Sequence, residues 1–151
     1  QKYSGDKPVL IKIAPDLEDM QIRSIVDTAK GLGCAGIVAT NTTTERPEES
    51  GVMLETGGLS GSPLRSRSTD VIRLIADHTD GQWPIIGVGG ISNSEDAWEK
   101  IINGASLVQV YSAMVFKGAS VVKEIVNGLD KKLKKEGLDN LNQAVGLARR
   151  V

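Results

Sequence analysis

A lysine stands inside an otherwise apolar run, Val9-Leu-Ile-Lys-Ile-Ala14, bounded by Pro8 and Pro15. If Lys12 points into the interior of a sheet, it is a desolvated cation, and burying one without a partner costs several kcal/mol. The chemistry that calls for such a group is a fixed positive charge facing an anionic or electron-accepting ligand. The plainer alternative is an edge-strand lysine whose ammonium reaches water. A second candidate is Asn41, flanked by Thr40 and Thr42 in Ala39-Thr-Asn-Thr-Thr43. Its amide donates and accepts together, as reading the edge of a planar imide-like ring requires, although a lone Asn also caps turns.

The glycines point to an oxyanion. Gly87-Val-Gly-Gly90 follows an apolar run, but Ser92 stands where a dinucleotide fingerprint needs its third glycine. Gly89 and Gly90 let backbone N–H groups come close to a phosphate. After Tyr111, Ser112 opens a short segment, 112–116, whose N–H groups suit the same anion. Glycine pairs also serve plain turns. Gly57-Gly-Leu-Ser60-Gly61, just before a helix, suits a cover over a ring or phosphate, or a turn-rich linker. These loops hold no Ser-His-Asp set, no Cys-His set and no paired carboxylates, so a proton-transfer residue would have to come from elsewhere.

The elements that must position these residues repeat as strand, loop and helix, four times. Strands are predicted at 9–14, 36–41, 84–91 and 107–111. Such short apolar runs suit a parallel sheet covered by helices. Asp16 is placed to cap a helix carrying Ile22, Ile25, Val26, Ala29 and Leu32, ended by Gly31 or Gly33. A polar loop, 42–62, leads to a helix opened by Ser62-Pro63, with Val71, Ile72, Ile75 and Ala76 inward. Ser92 and Glu95 have capping-box spacing before a helix at 97–103, which stops at Gly104. Val122, Ile125, Val126, Leu129 and Leu133 mark the inner stripe of the last helix. Four units are half of a (β/α)8 TIM barrel of about 250 residues, and an open doubly wound sheet repeats the same unit. In either, ligands bind beyond the strands' C-terminal ends, where these polar residues collect.

Composition narrows the function classes. Across 151 residues, 40% are hydrophobic and 25% charged, a globular α/β profile. A formal charge of −1 and 3% aromatics speak against binding a phosphodiester backbone or stacking single-stranded bases, so no nucleic-acid partner is expected. The basic cluster at 131–135, KKLKK, reads as a solvated helix face. Cys34 is the sole cysteine and reads as a small buried side chain. His78 is the sole histidine, so no metal site is expected. No apolar run reaches the ~20 residues of a membrane span.

Taken in order, IKIAPD at 11–16, ATNTT at 39–43, TGGLSG at 56–61, PIIGVGGI at 84–91 and GASLVQVYS at 104–112 resemble the dihydroorotate dehydrogenase family, in its quinone-dependent class. They cover nearly the whole chain. The resemblance implies an FMN-binding (β/α)8 barrel of which residues 1–151 are the C-terminal half, strands five to eight, with no second domain. It implies oxidation of dihydroorotate to orotate in pyrimidine biosynthesis, with electrons passing to ubiquinone. Lys12 resembles the lysine at the flavin's N1–O2 edge, and Thr40 a flavin contact. Asn41 and Thr42 resemble contacts to the orotate ring. Ser60, Gly61, Gly89, Gly90, Tyr111 and Ser112 resemble the flavin and phosphate contacts, largely through backbone. The catalytic serine base and the N-terminal quinone-tunnel helices belong to the family's other half. By the same resemblance the protein is membrane-associated, at the mitochondrial inner membrane in a eukaryote. Rival readings are an FMN barrel of a soluble class, a phosphate-binding barrel lyase or isomerase without flavin, and a non-enzymatic interaction module.

Overall fold

The computed structural model describes residues 5–46 and 56–149. Four short strands, β1 (Leu10–Ile13), β2 (Gly36–Ala39), β3 (Ile85–Val88) and β4 (Leu107–Gln109), pair in parallel in chain order. The helices are α1 (Asp19–Gly31), α2 (Arg65–His78), α3 (Ser94–Ile102), α4 (Ser112–Lys117), α5 (Ser120–Lys135) and α6 (Leu141–Ala144). Among the described residues the strand order never reverses, so the sheet lacks the switch point of a doubly wound fold and advances as a barrel wall does.

Register divides the sheet into two faces. Ile11, Ile37 and Ile85 form one row and Ile13, Ala39, Gly87 and Val108 another, both turned toward the helices. Behind them Ile22, Val26 and Ala29 of α1 and Val71, Ile72, Ile75 and Ala76 of α2 are buried, the positions expected for α2's inner side. Gly87 sets how close the helices come, since a Cβ there would lie 3.0 Å from both Ile72 Cδ1 and Ala105 Cβ. The other face carries Lys12, Val38, Ile86 and Leu107 in one row. It is open: Leu10 is 39% exposed and Leu107 59%. Lys12 therefore points inward but is solvated, not desolvated, because nothing described lies across from it.

Several predicted details shift. All four strands are shorter than their predicted runs; β2 and β3 leave the ladder where Thr40 and Gly89 begin, and β1 just before Ala14-Pro15. Asp16 does not cap α1. Glu18 takes that place, and its N–H donates to Gln21 Oε1 at 2.9 Å. The helix ends through Gly33, at φ +77°, while Gly31 stays helical and Leu32 is 69% exposed. A single 3-10 turn, Ser62–Leu64 with Pro63 inside it, precedes α2. The capping pair of α3 sits one residue later than Ser92 and Glu95: Asn93 Oδ1 accepts from the Asp96 N–H at 2.9 Å.

On α5 the buried positions are Val121, Ile125 and Leu129. This i, i+4 line faces Ile91, Ala97 and Ala113, which leaves Val122 and Val126 on the next face, 46% and 58% exposed. Leu133 packs against the main core. Cys34 is only partly buried at the core's edge, where its carbonyl accepts from Trp83 Nε1 at 3.1 Å. In the basic cluster, Lys131, Lys134 and Lys135 are exposed, while Lys132 reaches Glu95 and lies 5.8 Å from the Trp98 ring centre. His78, closing α2, bonds Asp27 Oδ1 of α1 at 2.7 Å.

An open apolar face and two edge strands, β1 and β4, predict that the isolated 151-residue chain is not a stable monomer. Sedimentation should show association, and the melt should be broad and dependent on concentration. A sharp, reversible two-state melt of a monomer would contradict this.

Candidate functional site

The C-terminal ends of the strands enclose a cavity of about 230 Å³. All ten residues singled out from the sequence line it. Lys12 comes from β1, Thr40, Asn41 and Thr42 from the end of β2, and Ser60 and Gly61 from the loop before α2. Gly89 and Gly90 follow β3, and Tyr111 and Ser112 follow β4. Leu64, Val88, Ile91 and Gln109 complete the lining and were missed. Gln109 was legible in principle. Counting by twos along Leu107-Val-Gln-Val-Tyr111 puts it on the inward row, where it pairs with Val88.

Charged hydrogen bonds tie the loops together. Freed from capping, the Asp16 carboxylate receives the Thr43 hydroxyl, the Thr44 N–H at 2.8 Å and the Thr44 hydroxyl at 2.9 Å. Burial raises the Asp16 pKa, but these donors and the nearby Arg67 charge outweigh it and hold it below the usual carboxylate range. Arg67 of α2 also donates to the carbonyls of Pro15 and Leu17 at 2.9 and 2.7 Å. Thr43 and Leu59 form an isolated antiparallel bridge that closes the long loop at its base. Gly58 permits this closure, since a side chain there would overlap Thr42. The Ser60 and Ser112 hydroxyls meet at 2.8 Å, joining this loop to the start of α4. Thr40, almost wholly buried, gives its hydroxyl to the Asn41 carbonyl at 2.9 Å, and the Ala39–Thr40 peptide is cis.

The missing Cβ of Gly90 was expected to clear space for an anion. Instead it would point at Arg65, 2.5 Å from Cβ and 2.8 Å from the backbone N. The glycine lets the β3 loop lie against the start of α2, and at φ +71° it also holds a conformation that side chains disfavour. Arg65 is further fixed by Asp96, whose Oδ1 accepts from Nη1 at 2.8 Å. The other oxygen of Asp96 accepts from the Ser92 N–H and hydroxyl at 2.9 and 2.8 Å. Burial raises the Asp96 pKa, and Ser92 with Arg65 more than reverses the effect.

Behind this loop lies a feature the sequence did not announce, Lys100 of α3, with no exposed surface. Its ammonium donates to the Arg65 carbonyl, Ser68 Oγ and Thr69 Oγ1 at 2.6, 2.6 and 2.5 Å. Burial pushes its pKa down from 10.5 to about 8, with Glu99 and Asp96 pulling the other way. A lysine in a helix that reads polar on its visible face carries no sequence signal of burial. Only the hydroxyls Ser68 and Thr69 on the neighbouring helix hint at a cage.

One cation, two amides (Asn41 and Gln109), several hydroxyls and three left-handed glycines (Gly61, Gly89, Gly90) thus surround a floor of Leu64, Val88 and Ile91. That donor set suits a flat ring with a polar edge and an anionic tail. Among the described residues no group of His, Cys, Asp or Glu is arranged to hold a metal ion.

Successive parallel βα units with a polar cavity at the strand C-terminal ends define a segment of a (β/α)8 barrel with its site at the mouth. The family model for dihydroorotate dehydrogenase matches residues 1–133, and the chain belongs to that family. It is 50% identical to dihydroorotate dehydrogenase (quinone) of Trichodesmium erythraeum, over 94% of this chain and 40% of that protein. The protein of the same name from Acaryochloris marina is 53% identical, over 93% of this chain and 40% of that one. The crystal structure of the Eimeria tenella enzyme in complex with ferulenol superposes with a TM-score of 0.90 at 41% identity, over 99% of this chain and 40% of that one. The chain therefore spans about 40% of the length of the relatives it matches.

The buried lysine predicts a pH dependence. Below about pH 8 the folded and unfolded chains both hold its proton, and the cost of burying the charge is present in full. Between about 8 and 10.5 the unfolded chain keeps a proton that the folded one releases, so stability rises with pH. The gain is on the order of 3 kcal/mol. Denaturant titrations of the full-length protein and its Lys100→Met variant should diverge by that amount across this window. Parallel profiles would contradict the assignment.

Proposed function

We propose that this chain forms strands five to eight of an FMN-dependent dihydroorotate dehydrogenase and supplies the cofactor and substrate side of its site. The observation that carries the reading is the convergence of the family-like motifs on one cavity, with a cation, an amide and glycine turns in separate places. When bound there, FMN supplies the ring that accepts hydride from dihydroorotate. Lys12, from the inward row of β1, sets its ammonium against the polar edge of the ring, where negative charge gathers on reduction. Asn41 and Thr42 pair with the edge of the orotate ring. Thr40 fixes the Asn41 backbone from beneath and borders the flavin. Gly89 and Gly90 on one side, and Ser60, Gly61, Tyr111 and Ser112 on the other, hold the phosphate through N–H groups and hydroxyls.

The serine base and the helices leading electrons to ubiquinone belong, on this reading, to the N-terminal half of the barrel. Membrane association, at the mitochondrial inner membrane in a eukaryote, would come through those helices. Among the described residues no helix is long and apolar enough to cross a membrane.

The full-length protein should purify yellow, and anaerobic dihydroorotate should bleach it. Lys12→Ala should slow bleaching by about one to two decades, the worth of a charged hydrogen bond. Asn41→Ala should keep the colour and lose orotate affinity. A colourless protein that takes up no flavin would overturn the reading in favour of a phosphate-binding barrel lyase or isomerase. Loss of flavin from Asn41→Ala with orotate binding intact would exchange the roles of Asn41 and Thr40.

A further inference from the structure

Lys100 lies outside the cavity lining, yet its ammonium bonds the start of α2, against which the β3 turn that lines the cavity rests. All three of its protons go to neutral oxygens on α2. Because Ser68 Oγ accepts from the ammonium, its own proton must go to a carbonyl. Two lie at 3.0 Å, those of Arg65 and Gly89. The Arg65 carbonyl already receives the ammonium and the Thr69 hydroxyl, which leaves Gly89 as the open acceptor. A chain of hydrogen bonds thus runs from Lys100 through Ser68 to the turn that carries Gly89 and Gly90. Gly90 in turn rests against the Arg65 backbone. Of the charged groups on the two helices that meet here, Arg65 and Asp70 stand on α2 and Asp96 and Glu99 on α3.

We propose that Lys100 is a positioning residue for the phosphate cradle, holding the Gly89-Gly90 turn against the first turn of α2 through Ser68. The proposal rests on the flavin reading above, since the cradle's ligand is the FMN phosphate. Its signature is selective: loss of Lys100 loosens the grip on the phosphate and leaves the ring's own contacts, at Lys12 and Thr40, in place. A residue that merely stabilised the fold would weaken phosphorylated and unphosphorylated flavin alike.

The test titrates FMN and riboflavin into the full-length apoprotein, reading flavin fluorescence. The parent should prefer FMN. Lys100→Met should lower FMN affinity by about ten-fold, with riboflavin affinity unchanged. Ser68→Ala, which removes only the linking hydroxyl, should lose FMN affinity selectively and to a smaller degree, and it decides the matter if Lys100→Met does not fold. Undiminished FMN affinity in the folded variant, or equal loss of both flavins, would overturn the role of Lys100 while leaving the flavin reading intact. A parent that binds no flavin, or does not favour FMN over riboflavin, would overturn the phosphate reading and this inference with it.

Discussion

Parallel pairing in chain order is the constraint on which the molecule depends. Each strand must be followed by a return path along one face of the sheet, so the helices α1 to α3 fall on the side of Ile37 and Ile85. Every strand then delivers its C-terminal end to the same rim. Residues far apart in sequence, Lys12 and Ser112 among them, meet there without any direct attraction between them. The opposite face, with Leu10 and Leu107 exposed, is shaped like the inside of a barrel wall and lacks a covering among the described residues.

A rim made of loops needs internal ties, because loops bury little apolar surface. Charged side chains supply them, exposed at Asp16 and buried at Asp96 and Lys100. Asp16 gathers Thr43 and Thr44, Asp96 gathers Ser92 and Arg65, and Lys100 gathers three oxygens of α2. In each case the charge is satisfied chiefly by backbone groups and hydroxyls. Such ties fix the geometry of short segments more sharply than apolar packing can, because hydrogen bonds are directional. The left-handed glycines complete the device by letting the Gly89-Gly90 turn approach Arg65 closely.

Much of this was legible in the sequence, and for physical reasons. Buried parallel strands are nearly uniform apolar runs, so all four could be found, but such runs do not reveal where ladder pairing stops. Candidates such as Lys12, Asn41, Gly89 and Ser112 stood out because polar groups and glycines in or beyond strands contrast with their apolar neighbours, while Ser60 and Gly61 stood in a glycine-rich loop before a helix. Side-chain partners were less visible. Asp16 looked like a helix cap because a carboxylate before a helix usually is one, and nothing local shows that Thr43 and Thr44 claim it instead. On α5, Ile125, Leu129 and Leu133 face inward as expected, but Val121 joins them in place of Val122 and Val126. Val121, Val122, Ile125 and Val126 offer two adjacent apolar lines, and the position of α3 chooses between them. Lys100 was hidden because the oxygens that receive its ammonium all lie on another helix, α2.

The central claim is that the C-terminal rim of these four strands holds the flavin. Hydrogen–deuterium exchange on the full-length protein, with and without FMN, tests it directly. FMN should slow exchange at residues 39–43, 60–65, 88–92 and 110–114, and leave the strand starts at 8–10, 34–36 and 83–85 unchanged. Protection confined to the strand starts, or absent from all four rim segments, would contradict it.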